Sequence, residues 1–285
     1  MKIIRDVDAM RELGRTLRSG GKTIALVPTM GALHKGHLSL LTAARQQCDY
    51  AVVSIFVNPT QFGLGEDFEC YPRPFARDCA VAERHGCDII FAPEAKNMYP
   101  KDYQTSVIVK NITQKLEGAS RPEHFEGVTT VVTKLFNAVG PDAAIFGQKD
   151  AQQVLVIKRM VADLNVPVRL VVRPTVREDD GLALSSRNAY LTADERRAVP
   201  LIHAGLSRVT ALYEGGERSA LVLLGALRSV YERTKAFKVE YTSIVDTRTL
   251  NPVDYLDSTV LVAVACRTVT SRTRLIDNIV LGGLL

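Results

Sequence analysis

"VPTMGALHKGHLSLL", Val27–Leu41, decides how the rest of the chain is read. It overlaps the end of an apolar run, "TIALVPT", and leads into "GALHKGHLSLLTAARQQ", so a strand feeds a helix through a turn that Gly31 and Gly36 permit. Two of the chain's five histidines, His34 and His37, stand at the mouth of that helix. N–H groups and the positive end of the helix dipole favour an anion there, and imidazoles three residues apart share a helix face, so both can donate to one phosphate. Chance yields an H-x-x-H pair roughly 0.09 times in a chain of this length and histidine content. Two satisfied polar residues beside a core helix are the alternative reading. Zinc fits less well, because no third ligand of metal-site type stands nearby and the usual helical pair is four residues apart.

Working outward, apolar β-rich runs alternate with helical patterns over the first two thirds of the chain. We expect strands near Thr23–Val27, Ala51–Val57, Asp88–Phe91, Ser106–Val109, Ala143–Phe146 and Val168–Val172. Such alternation belongs to an α/β class, a doubly wound parallel sheet with helices on both faces. In "EGVTTVVTKLFNAVG" the apolar residues Val128, Val131, Val132, Leu135, Phe136 and Val139 recur at spacings of three and four, so helix is expected despite the β-branched content. After "DDGLALSSRNAYLT" the pattern changes. A long helical segment begins at Thr192 and breaks at Gly215 and Gly216, and a second helix runs from about Ser219 to Lys235. "VEYTSIVD", "TVLVAVAC" and "RLIDNIVL" then follow without intervening helices, which points to a three-stranded antiparallel sheet in a smaller C-terminal α+β domain. The expected division is residues 1–180 and 181–285, the second acting as a lid.

The composition is 46% hydrophobic and 24% charged, which suits a globular protein and excludes disordered, collagen-like and coiled-coil classes. A net charge of +5 without a basic run suits a small anionic ligand at least as well as a nucleic acid, and no nucleic-acid partner is expected. Five cysteines, Cys48, Cys70, Cys79, Cys87 and Cys266, form no C-x-x-C pair, so a reducing compartment is expected. The N-terminus "MKIIRDVDAMREL" carries acids and an amphipathic rhythm, and no run of about 18 apolar residues occurs, so a cytoplasmic protein with no membrane partner is expected.

Three further stretches carry chemistry. "NPTQFG", Asn58–Gly63, follows the second strand at its carboxyl end, where open parallel sheets bind ligands. The amide of Gln61 offers a donor and an acceptor to a small polar acid, although the same stretch reads as an Asn-Pro turn. "FGQKDAQQ", Phe146–Gln153, is again a strand end and helix start; Lys149 there is a mobile point charge for a phosphate or else a solvated surface lysine. "ALSSRNAYL" holds Ser185, Ser186 and Arg187, whose hydroxyls and guanidinium suit a triphosphate, or form a helix cap and linker.

His34-Lys35-Gly36-His37 resembles the H-x-G-H element of the nucleotidyl-transferase superfamily, and the wider "PTMGALHKGHLSLL" resembles the pantothenate synthetases more closely still. "FVNPTQFGLGEDFECYPR", "RPEHFEGVTTVVTKLFN", "FGQKDAQQ" and "REDDGLALSSRNAYL" agree in the same order over nearly the whole chain. The resemblance implies a Rossmann-like fold, ATP and Mg²⁺, and the joining of pantoate to β-alanine through a pantoyl adenylate in a homodimer. It assigns ATP to Met30, Gly31, Ala32, Leu33, His34, Lys35, Gly36 and His37, to Gly147, Gln148, Lys149 and Asp150, and to Val176, Leu184, Ser185, Ser186 and Arg187. It places Gln61, Gln153, Arg121 and Asn58 at the acid substrates and Asp78 at the metal, with catalysis carried by His37, His34, Lys149, Arg187, Ser185 and Ser186. A cytidylyltransferase of the same superfamily and a non-catalytic nucleotide sensor are the rival readings. A tRNA synthetase is disfavoured, since roughly 100 residues after the boundary leave little room for an anticodon-binding domain.

Overall fold

The computed structural model describes residues 1–63 and 65–285, which divide into two compact units. The first comprises Met1–Gly147 and Gln152–Arg173, the second Gln148–Ala151 and Pro174–Leu285.

In the first unit six strands form one sheet: β1 (Lys2–Ile4), β2 (Ile24–Thr29), β3 (Tyr50–Ile55), β4 (Ile89–Phe91), β5 (Ala143–Gly147) and β6 (Arg169–Arg173). Their order is β1-β4-β3-β2-β5-β6, and every pairing is parallel. Residues Ile24–Val27 and Ala51–Ser54 are buried along their whole length, as a strand covered on both faces requires. From β2 the chain builds outward through β3 and β4, then crosses back to start β5 on the other side of β2. The strand order therefore reverses between β2 and β5, and their carboxyl ends flank the crevice in which open sheets bind ligands.

The helices of this unit are α1 (Val7–Ser19), α2 (Lys35–Gln47), α3 (Phe75–Arg84), α4 (Ala95–Met98), α5 (Glu117–Ser120), α6 (His124–Val139) and α7 (Ala151–Asp163), whose first residue falls in the second unit. Leu40, Leu41, Ala43 and Ala44 of α2 and Ala82 of α3 join Ala25, Val27, Ala51, Val53, Ile90, Ala143 and Ile145 in one apolar layer on the sheet. Helix α6 buries the expected Val128, Val131, Val132, Leu135, Phe136 and Val139, and packs on α1. It ends at Gly140, whose φ of 59° needs the left-handed conformation that glycine adopts freely.

Two expectations are corrected. Lys2–Ile4, read as part of an amphipathic start, is an edge strand paired with Ile89–Phe91. Ser106–Val109 is not a strand: the Val107 N–H donates to Thr130 Oγ1 and its carbonyl accepts from Thr129 Oγ1, so α6 side chains take the groups a neighbouring strand would need.

In the second unit the long segment after Thr192 is two helices, α8 (Ala193–Ala198) and α9 (Pro200–Glu214), because Pro200 cannot continue a helix but can begin one. Helix α10 (Ala220–Tyr231) follows, and then the antiparallel strands β7 (Phe237–Asp246), β8 (Val260–Thr268) and β9 (Arg274–Leu281) in the order β7-β8-β9. Leu206, Val209, Leu223, Leu227, Val260, Val262, Val264 and Leu275 make the shared core.

Glu195 joins helix and sheet here. Only 2% exposed, it closes a capping box with Thr192 and accepts from the N–H groups of Thr192, Thr270 and Ser271. Burial alone raises its pKa, but hydrogen bonds from Thr192, Ser271 and Thr270 overcome that and hold it down at about 2. A carboxylate depressed on folding stabilises the fold above its unfolded pKa, so this contribution is lost as pH falls from 4.5 to about 2. Glu195→Gln should cost about 1–3 kcal/mol at neutral pH, read from urea unfolding, and should flatten the acid limb of the stability profile.

Candidate functional site

The β2-to-α2 junction is built before it is functional. After β2 the chain turns through Gly31, with φ at 84°, and Ala32, with φ at 50°. A Cβ on Gly31 would lie 3.0 Å from Asp78 Oδ2 and 3.1 Å from Ile55 Cγ2, so glycine is needed for both conformation and space. Asp78, 1% exposed on α3, accepts the Ala32 N–H and the Leu33 N–H, each at 2.8 Å. Thr29 Oγ1 accepts the Gly31 N–H at 3.1 Å and donates to the Ser54 carbonyl. Side chains of Asp78 and Thr29 thus hold a turn in which Ala32 takes a left-handed φ that its Cβ disfavours.

At the end of this loop the histidines cap α2. His34 is the N-cap, and its Nδ1 accepts the Gly36 N–H at 3.2 Å. His37 Nδ1 accepts the His34 N–H at 3.3 Å, and the two rings stack with centroids 4.0 Å apart. An Nδ1 that accepts carries no proton, so each neutral ring bears its proton on Nε2. The expected share of the backbone is reduced: the imidazoles take up the His34 and Gly36 N–H groups and carry their own protons on Nε2. Lys35 is exposed, and the dipole of a 13-residue helix lies behind the pair.

The acid-binding candidates sit on the 3₁₀ turn Pro59–Gln61 and the start of α6. Gln61 is 9% exposed, accepts from Asn58 Nδ2 through Oε1 and donates through Nε2 to Met30 Sδ at 3.0 Å, which ties it to the histidine loop. Sulfur is a weak acceptor, so this amide N–H is held lightly. Asn58, expected among the substrate contacts, instead spends its side chain inside the protein. Its Nδ2 donates to the Gly127 carbonyl and Gln61 Oε1, and its Oδ1 accepts from Tyr99 and Thr60. Arg121, expected near a substrate carboxylate, forms a bidentate pair with Glu66 and donates to the Gln61 carbonyl.

Sequence reasoning passed over Glu66 and Gly127. A Cβ on Gly127 would come within 2.3 Å of the Thr60 carbonyl, so this glycine lets α6 and the Gln61 turn touch. Its signal was a glycine early in a helical run. Gln153, on the first turn of α7, is half-buried in the first unit. Its neighbour Gln152 is buried and bonded to Ile112, Lys115 and Glu117.

The second unit gathers the other candidates. Gln148–Asp150 is a single 3₁₀ turn leading into α7, with Lys149 Nζ 3.5 Å from Asp150 Oδ1. Val176 and Leu184 pair across a hairpin through the Leu184 N–H and Val176 carbonyl. Ser185 then caps a 3₁₀ helix, Ser186–Tyr190, by accepting the Arg187 N–H.

Two chemistries find no support in the donors present. Among the described residues no group of three His, Cys, Asp or Glu side chains is placed to hold a metal ion, and both oxygens of Asp78 already serve the loop. A protein-built magnesium cage therefore does not fit these residues. Cys87 and Cys266 are pushed up to about 11 and about 12 by burial, which keeps them thiols.

The pantoate–β-alanine ligase family model matches residues 2–280. A pantothenate synthetase of Heliobacterium modesticaldum is 51% identical over 280 residues, covering 98% of this chain and 99% of that protein. The crystal structure of the Thermus thermophilus pantothenate synthetase superposes with a TM-score of 0.92 at 41% identity, covering 98% of this chain and 99% of the other. The pantoate–β-alanine ligase of Francisella tularensis, complexed with β-γ ATP and β-alanine, gives a TM-score of 0.78 at 33% identity, covering 98% of this chain and 97% of the other.

His124 supplies a test of how tightly the Gln61 turn is built. Its Nδ1–H donates to the Gln61 carbonyl at 2.8 Å, and its Nε2 accepts from Arg121 at 3.1 Å, an arrangement only the neutral ring can make. Burial and then the Arg121 charge push its pKa down to about 4. The unfolded histidine, at 6.5, binds a proton that the folded one refuses, so stability is lost as pH falls from 6.5 to about 4. That loss should reach about 3 kcal/mol in urea unfolding. His124→Asn, which keeps an N–H donor, should remove most of this slope.

Proposed function

The chain belongs to the pantoate–β-alanine ligase family, and from that premise we propose how its own residues divide the work of the ATP-dependent ligation of pantoate with β-alanine. A carboxylate resists attack by an amine because its charge repels the nucleophile and oxide is a poor leaving group. Adenylation removes both obstacles. The pantoate carboxylate attacks the α-phosphorus of ATP, forming pantoyl adenylate and expelling pyrophosphate; the β-alanine amine then attacks the acyl carbon, releasing AMP and pantothenate.

The observation that carries the assignment is the pair of Nδ1-accepting imidazoles at the start of α2. The cap fixes the proton of each ring on Nε2, so no change of tautomer is needed when charge grows on the phosphate oxygens. Met30–Leu33 supply backbone around the nucleotide. Lys149, with Gly147, Gln148 and Asp150 beside it, adds positive charge for the leaving pyrophosphate, and Ser185, Ser186 and Arg187 add hydroxyls and a guanidinium. Val176 and Leu184 hold the nucleotide through backbone. Gln61, whose amide N–H rests on a sulfur, holds pantoate and then β-alanine, and Gln153 holds pantoate. Asn58 and Arg121 hold the Gln61 turn instead of touching substrate, and Asp78 holds the histidine loop. Magnesium, when present, comes with the triphosphate, as is usual for an ion that keeps its waters and borrows phosphate oxygens.

The β-γ ATP and β-alanine in the Francisella ligase support both substrates here. No observation favours a cytidylyltransferase or a sensor. No helix among the described residues is long and apolar enough to cross a membrane. The family resemblance supports a homodimer, and the supply of ATP supports the cytoplasm as the place of reaction.

His37→Ala should lower pantoate-dependent pyrophosphate release by at least ~10²-fold, the loss typical of one preorganised donor. Its lost cap should cost only about 1 kcal/mol of stability, so the protein stays folded. Lys149→Ala should slow the same step comparably with a thermal midpoint near that of the parent. Wild-type rates in either variant would remove that side chain from the reaction.

A further inference from the structure

Two polar residues interrupt the apolar strand β9, and both are buried: Asp277 and Asn278 are each 4% exposed. Adjacent residues of a strand face opposite sides of the sheet, so a single dipeptide reaches two different neighbours.

Asn278 grips the lysine turn. Its Nδ2 donates to the Gln148 carbonyl at 3.0 Å and to the Lys149 carbonyl at 2.9 Å, and its Oδ1 accepts from Gln148 Nε2 at 3.3 Å. This grip accounts for the membership of Gln148–Ala151 in the second unit, although Gly147 before it and Gln152 after it belong to the first.

Asp277 grips the serine-bearing hairpin. Its carboxylate takes a bidentate pair from Arg177 at 2.6 and 2.8 Å, and Arg177 Nη1 also donates to the Gly181 carbonyl at 3.0 Å. Arg177 bridges to Ala183, whose carbonyl is held by Asn188 Nδ2, and Ser185 follows two residues later. Asp277 Oδ1 also accepts the Asn278 N–H, which locks the two grips together.

We infer that Asp277 and Asn278 are positioning residues that hold the Lys149 turn and the Ser185–Arg187 loop in one fixed relation. The inference rests on the reading that Lys149 and Arg187 meet the nucleotide's phosphates. The device is a shared strand: two cationic groups far apart in sequence are pinned by neighbouring side chains, so neither can drift without the other's anchor yielding. A bidentate carboxylate pair resists rotation, and an amide that spans two successive carbonyls fixes the peptide between them.

Asn278→Asp replaces the spanning donor by an acceptor of equal size facing two carbonyls. Hydrogen exchange of the Gln148–Ala151 amides should accelerate, while kcat for pantoate-dependent pyrophosphate release should fall about 10–100-fold, as for a misplaced catalytic group. The KM for pantoate should stay within about twofold, since Gln61 is untouched. Asp277→Asn should accelerate exchange across 177–187 with a similar fall in kcat. In a Lys149→Ala background Asn278→Asp should add no further loss, because a residue acting through Lys149 has nothing left to position. Should Asn278→Asp fail to fold, Asn278→Ser carries the same expectations.

Unchanged exchange in both stretches would overturn the clamp. So would faster exchange with a wild-type rate, or a full additional loss on top of Lys149→Ala. A wild-type rate for Lys149→Ala itself would instead overturn the reading of that lysine, and the exchange measurements would still decide whether the dipeptide clamps the two stretches.

Discussion

A histidine that caps a helix through Nδ1 has one place left for its proton, and the chemistry proposed for this protein follows from that. His34 and His37 both cap α2 in this way, so both are Nε2–H donors before any nucleotide arrives. The cap in turn depends on a loop that would not hold itself. Gly31 and Ala32 lie at positive φ, and the buried Asp78 accepts the N–H groups of Ala32 and Leu33. Behind the loop, Ile24–Val27 of β2 is buried between helices and fixes where the turn begins. Strand burial, loop clamp, cap and tautomer form one dependency, each step making the next geometrically available.

The frame also determines which charges remain for substrate. Arg121 is committed to Glu66, Arg177 to Asp277, and Asp78 and Glu195 to backbone N–H groups. Burying such groups costs desolvation, which their partners offset only while both members are present. Removing one partner leaves an unpaired buried charge, so these residues matter greatly for folding without meeting a ligand. Lys149 is differently placed: its nearest carboxylate lies 3.5 Å away on the half-exposed Asp150, a weak and screened attraction that a triphosphate can outcompete. The division between charges that build and charges that bind is thus visible in how completely each side chain is already satisfied.

That distinction explains what the sequence makes legible. The β2-to-α2 junction and α6 can be read directly, because apolar period and glycine placement are local signals. Lys2–Ile4 is too short to show a period, and "SVIV" within 106–109 imitates a strand while its backbone groups go to Thr129 and Thr130. Asn58 and Arg121 have the right chemistry for a carboxylic acid, but residue type does not reveal that Gly127, Tyr99 and Glu66 have already claimed them. Asp277 and Asn278 left a faint mark, two polar residues in mid-strand, whose meaning depends on contacts about 100 and 130 residues away in the chain.

The three-residue spacing of the histidines has its reason in the same place. An N-cap side chain and the side chain at N3 exchange hydrogen bonds with each other's backbone, which is the relation of positions i and i+3. A pair at i and i+4 would place the second imidazole one residue past N3, out of reach of the N-cap N–H, and would suit a shared metal better. Gly36 lies between them, and its N–H closes the cap on His34 Nδ1. The spacing therefore answers first to helix capping, and the paired Nε2–H donors are its consequence. On this view a substitution that preserved an imidazole but moved it one residue along the helix would keep the ring and lose the tautomer control, because the backbone N–H that fixes the proton would no longer face it.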